Sequence, residues 1–139
     1  MEKMTPEVKA AWVAALRSGE YKQGTNALQR GEQFCCLGVL CDIAVKQFEI
    51  QLEVAESYCC DDCTPKSCCV SNKIVYDGAT SFLPYKVRQW ANLTEDGQVS
   101  GKHPYRNESD MERFTDRLYV LNDNGYSFAE IADIIEQEL

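Results

Sequence analysis

The stretch Phe34-Cys35-Cys36-Leu37-Gly38-Val39-Leu40-Cys41-Asp42-Ile43-Ala44-Val45-Lys46-Gln47-Phe48 limits the fold more than any other. Read as a helix it is apolar on nearly every side, with only Gly38, Asp42 and Lys46 in a strip that can face water. A helix of that kind is buried in a globular domain, and the run is too short and interrupted to span a bilayer. The remaining elements must therefore supply its walls.

Before it, Thr5-Pro6-Glu7 has the order of a helix start: a capping hydroxyl, a proline where its missing N–H costs nothing, then an acid. Val8, Ala11, Trp12, Ala15 and Leu16 form one apolar face, and Gly19 ends the helix after Ser18. Glu20 to Gln33 reads as a polar connection, with room for a helical turn at Thr25 to Arg30. After the core helix, Ile50 to Val54 alternates as a half-buried strand does. Lys73 to Tyr76, Asp77-Gly78 and Ala79 to Phe82 carry the signal of a hairpin with a type I′ turn. Leu83-Pro84 opens a short helix turning Val87, Trp90 and Ala91 inward, and Thr94 to Lys102 reads as loop. Ser109 with Glu112, and Ser127 with Glu130, have capping-box spacing and predict two C-terminal helices. The first would bury Met111, Phe114, Leu118 and Leu121 and end at Asn122-Asp123-Asn124-Gly125. The second would bury Phe128, Ile131, Ile135 and Leu139. The expectation is one α+β domain over residues 1–139: a central buried helix, flanking amphipathic helices and a small antiparallel β-sheet.

The 139 residues carry 22 acidic and 14 basic side chains, a net charge of −8, which disfavours DNA, RNA and anionic membranes as partners. Without a signal-peptide pattern or a long apolar run, the expected location is the cytoplasm. The eight cysteines divide into two groups. Cys35, Cys36 and Cys41 lie in the core helix, where cysteine packs as a small hydrophobe. Cys59, Cys60, Cys63, Cys68 and Cys69 crowd a loop insertion over 59–69 that the apolar faces above do not need. Cys60 and Cys63 have C-x₂-C spacing, so with Cys68 and Cys69 they form a candidate structural zinc site. Free thiols and local disulfides are the competing readings. His103, the only histidine, sits in a polar loop and builds no metal or nucleophile constellation.

Arg113 and Arg117, four apart on the predicted helix, offer charge to an anion, although Asp110 and Asp116 are near enough to neutralise it. Arg88 and Trp90, with Tyr21, Gln23 and Asn122, add planar and hydrogen-bonding groups of the kind that nucleotide sites use.

Three blocks carry a family resemblance: Leu16-Arg17-Ser18-Gly19, Tyr21 and Gln23 with Phe34 to Asp42; Leu83-Pro84 through Val87, Trp90 and Leu93; and Leu121-Asn122-Asp123-Asn124-Gly125-Tyr126-Ser127-Phe128-Ala129-Glu130-Ile131-Ala132-Asp133. Together they resemble a family of small phage and bacterial proteins, and the cysteine loop falls outside them. The resemblance implies a phage or prophage accessory protein acting inside the bacterial host. By analogy with counter-defence proteins that sequester nucleotide immune signals, the expected function is non-catalytic capture of a small anionic nucleotide-like ligand. Separately, because small domains commonly form two-fold dimers whose junction can enclose a ligand, a homodimer is expected. Arg88, Arg113 and Arg117 would meet phosphate, Trp90 or Tyr21 would stack, and Gln23 and Asn122 would read polar edges. The alternatives are an acidic factor that docks on a host protein and, third, an enzyme that degrades the signal.

Overall fold

The computed structural model describes residues 4–24, 27–57, 73–79, 82–93, 97–104 and 114–139. Its helices are α1 (Pro6–Arg17), α2 (Cys36–Lys46), α3 (Tyr85–Ala91), α4 (Leu118–Asp123) and α5 (Phe128–Glu138). Its strands are β1 (Lys22–Gln23), β2 (Gln29–Arg30), β3 (Gln33–Phe34), β4 (Val54–Ser57), β5 (Lys73–Tyr76), β6 (Gln98–Pro104) and β7 (Phe114–Arg117). This is an α+β architecture with two sheets. The larger has the order β1-β3-β2-β5-β4, with β1 and β3 parallel and the other pairs antiparallel. The smaller is the antiparallel ribbon β6-β7.

The core helix is at the centre as expected: every residue from Cys36 to Ala44 is buried. Trp12, fully buried on α1, donates its indole N–H to the Cys36 carbonyl at 2.9 Å, satisfying its one polar atom inside the core. Val87 and Ala91 of α3, Leu118 and Leu121 of α4 and Ile131 and Ile135 of α5 complete the apolar cluster. The second capping box forms in full: Ser127 Oγ accepts from the Glu130 N–H, and the Glu130 carboxylate accepts from the Ser127 N–H.

The strip expected to face water does not. Gly38 is buried, Asp42 is 7% exposed, and only Lys46 is exposed. The reason lies in the segment read as a polar connection, which instead folds into β1, β2 and β3 and lies across the start of α2. Strands two residues long give hydrophobic alternation no span in which to register. Phe34 accordingly belongs to β3, and Cys35 caps α2 by accepting the Gly38 N–H at its sulfur, 3.4 Å away.

Other boundaries also move. The strand expected at 50–54 begins at Val54, while Ile50 and Leu52 pack from a loop against the core. Asp77 and Gly78 both have positive φ (54° and 83°), as a type I′ turn requires, yet the returning strand is reduced to one bridge, Tyr76 to Ala79. β5 pairs with β2 and β4 instead. The loop expected to run to Lys102 is partly β6. Residues 114–117, expected as helix, are β7, with Phe114 58% exposed rather than buried and Thr115 buried. The Ser109–Glu112 capping box lies outside the described residues. Thr5 does not cap α1 with its side chain; its N–H donates to the Ala91 carbonyl at 3.1 Å and ties α1 to α3. His103, read as a loop residue, lies in β6 with Nε2 2.6 Å from Glu138 Oε2, and Glu138 Oε1 accepts the Ser100 N–H at 2.7 Å. Glu138 thus fastens the ribbon to α5, and the bonds it accepts hold its carboxyl below the usual range against the effect of burial.

Candidate functional site

Two polar assemblies stand out, one interior and one on the surface. The interior one is built on Asn122, 1% exposed at the end of α4. Its Oδ1 accepts from the Gln23 side chain at 2.9 Å and from the Cys36 N–H at 3.2 Å, and its Nδ2 donates to the Gly24 carbonyl at 2.7 Å. Gln23 Nε2 also donates to the Tyr126 carbonyl at 2.6 Å. The Cys36 N–H belongs to the first turn of α2, where no helical carbonyl can serve it, so Asn122 acts as a distant cap. These amides join β1, α2 and α4, with both polar atoms of Asn122 and the Nε2 of Gln23 bonded within the protein.

Further along α2, the interior assembly continues at Asp42. Tyr21 donates its hydroxyl to Asp42 Oδ2 at 2.5 Å, and Lys46 pairs with Oδ1 at 3.2 Å from one turn away. Beside them Tyr76, 3% exposed, donates to Gln29 Oε1 at 2.5 Å. Burial raises the pKa of both phenols, with the hydrogen bond to Asp42 adding for Tyr21 and the charge of Asp42 for Tyr76. The Tyr21 ring meets Phe34 edge to face at 5.0 Å, which fixes it against the sheet rather than presenting it to a ligand. The core thiols are inert: burial pushes Cys35 up to about 11 and Cys36 well above its ordinary value.

The surface assembly is on α3 and the residues leading into it. Tyr85 is 64% exposed and Phe82 53% exposed, unusual for aromatics that no core claims. The Arg88 guanidinium lies over the Tyr85 ring at 5.9 Å from its centroid, and Gln89 Nε2 donates to the Tyr85 hydroxyl at 2.7 Å. Phe82 meets Tyr119 of α4 edge to face at 5.3 Å. Lys86 is exposed and reaches the Gln51 carbonyl at 3.3 Å. Trp90 turns the other way, edge to face with Phe48 at 4.9 Å, and anchors the helix. Between Asp77 and Glu95 the chain has no acidic residue, and Lys86 and Arg88 are the two cations of that run. Preset rings beside cations suit a planar anion.

A family model described as a domain of unknown function, DUF8296, matches residues 4–139. The chain belongs to the DUF8296 family. No curated protein and no solved structure matches it. Because the match runs nearly from end to end, both polar assemblies fall within the family domain.

Of the residues expected to bind a ligand in this DUF8296 chain, half-buried Gln23 meets buried Asn122 and half-buried Tyr21 meets buried Asp42. Arg88 and Trp90 share α3, with Arg88 on the surface assembly and Trp90 behind it. Arg117 ends β7 beside Asp116, its Nε 3.4 Å from the carboxylate. Arg113 lies outside the described residues, as do Cys60, Cys63, Cys68 and Cys69. Among the described residues no cluster of His, Cys, Asp or Glu can hold a metal, and no helix is long and apolar enough to cross a membrane. Tyr85, Phe82 and Tyr119 were not legible as site residues, since an exposed ring and a core ring look alike in sequence. The acid-free run from 78 to 94 was the available signal.

Proposed function

We propose that this protein binds a small anionic nucleotide on α3 and holds it without chemical change, as a phage accessory factor that withdraws a nucleotide signal from bacterial host defence. The observation that carries the reading is the pairing of exposed Tyr85 with Arg88 in the acid-free stretch, flanked by Phe82 and Lys86. A base stacked on an aromatic ring contributes about 1–3 kcal/mol, and a guanidinium adds a charge-assisted bond to phosphate. Capture needs no general base or metal. The phage setting rests on the sequence resemblance.

The test is to incubate the protein with a panel of linear and cyclic nucleotides, remove the unbound fraction, heat, and chromatograph what is released. Intact nucleotide, with a raised Tm before heating, supports capture, because only binding to the native state stabilises it. A changed product would make the protein an enzyme. No retention would leave the second reading, an acidic factor docking on a basic host protein, which the charge of −8 favours.

A further inference from the structure

An exposed tyrosine on a helix ordinarily turns among several rotamers, and a ligand that needs it in one of them spends binding energy on ordering it. Tyr85 is 64% exposed, yet two side chains from the next turn of α3 hold it. Arg88 lays its guanidinium over the ring, 5.9 Å from the centroid. Gln89 donates from Nε2 to the hydroxyl oxygen at 2.7 Å. These residues lie three and four positions beyond Tyr85, the two spacings at which helical side chains meet. The cation covers one face of the ring, and the amide fixes its far end.

The direction of the Gln89 bond decides what Tyr85 can still do. A phenol oxygen both accepts and donates, whereas an amide nitrogen only donates, so the Tyr85 oxygen is the acceptor here and keeps its own proton to give elsewhere. Gln89 is itself exposed, and among the described residues Tyr85 is the one hydrogen-bond partner of its side chain. Its amide therefore serves the ring and no part of the core.

We infer that Gln89 is a positioning residue for the α3 site, one that holds the Tyr85 ring beside Arg88 before a ligand arrives. The uncovered ring face is then set for a base, and the hydroxyl proton for an oxygen acceptor next to it. This rests on the nucleotide-capture reading and gives Gln89 no contact of its own with the ligand.

A double-mutant cycle on the affinity for adenosine monophosphate, with an NMR measurement on the free protein, tests it. Alanine is the better helix former, so Gln89→Ala is expected to keep the parent Tm while weakening binding about fivefold. Made in a Tyr85→Phe chain, the same change is expected to have no further effect, because the hydroxyl that Gln89 holds is gone. An equal loss in both backgrounds, or no loss in either, overturns the inference and leaves capture standing. In the free protein, the three-bond couplings of Tyr85 should report one χ1 rotamer in the wild type and averaging in Gln89→Ala. Averaged couplings in the wild type also overturn the inference. A wild-type chain with a fixed ring that binds no adenosine monophosphate counts instead against capture, and the positioning role falls with it.

Discussion

Gly38 and Leu28 are in such close contact that a β-carbon placed on Gly38 would lie 1.7 Å from the Leu28 carbonyl oxygen. That carbonyl also accepts the Cys35 N–H at 3.1 Å, so it cannot withdraw without breaking the start of α2. In an ordinary helix interior, replacing glycine with alanine stabilises by about 1 kcal/mol. Here backbone meets backbone, and Gly38→Ala is expected to destabilise by about 2–3 kcal/mol net. Urea unfolding checks the sign, and a gain in stability would show that the β1–β3 segment does not press on α2.

Asn122→Ala removes the acceptor for the Cys36 N–H and the donor for the Gly24 carbonyl, and leaves Gln23 with one fewer partner. A buried group left unsatisfied costs about 1–3 kcal/mol, so a loss of roughly 2–4 kcal/mol is expected. Equilibrium unfolding measures it. A variant of unchanged stability would return Asn122 to the list of ligand-reading residues.

Tyr21 and Tyr76 give the fold an alkaline limit. Their pKa values are raised above the ordinary 10, so the native state holds these protons more tightly than the unfolded chain. The stability this contributes is fully present below about pH 10 and is lost as pH rises beyond it. Tyrosinate absorbance against pH should show a late step that coincides with loss of helical circular dichroism. Titration of every tyrosine near 10 in a folded chain would contradict the Asp42 cluster.

The general architecture was legible because its strongest elements are long and periodic. The core helix, the face of α1 and the Ser127–Glu130 box repeat one signal over three turns or cross-check a cap against a face. What escaped was what contacts decide. Asp42 looks like a surface residue of α2 until Tyr21 covers it, and Gly38 looks like a gap until Leu28 fills it. The polar capacity of Asn122 is plain in the sequence, but only the fold shows that Gly24, Gln23 and Cys36 use it. Strands of two residues, and a strand at 114–117 followed directly by helix, have no periodicity to read.

The cysteine-rich segment 59–69 is expected to be dispensable for folding. Ser57 and Lys73 are cross-strand partners in the antiparallel β4–β5 pair, so a short turn can join them. A chain with 58–72 replaced by an Asn-Gly turn is expected to keep the circular dichroism and core stability of the parent. Zinc content of the full chain, prepared reduced, complements this. One zinc per chain, with unfolding on chelation, would make the loop structural instead.

The central claim is that α3 carries the ligand, and calorimetric titration of one retained nucleotide into three chains tests it most directly. Tyr85 is exposed and Arg88 is half-buried with its guanidinium over the Tyr85 ring, so Tyr85→Ala and Arg88→Gln are expected to leave the melting temperature of the free protein nearly unchanged. Each is expected to weaken binding about tenfold or more, through loss of stacking or of a charge-assisted bond. Affinity that is the same in all three chains would contradict the account.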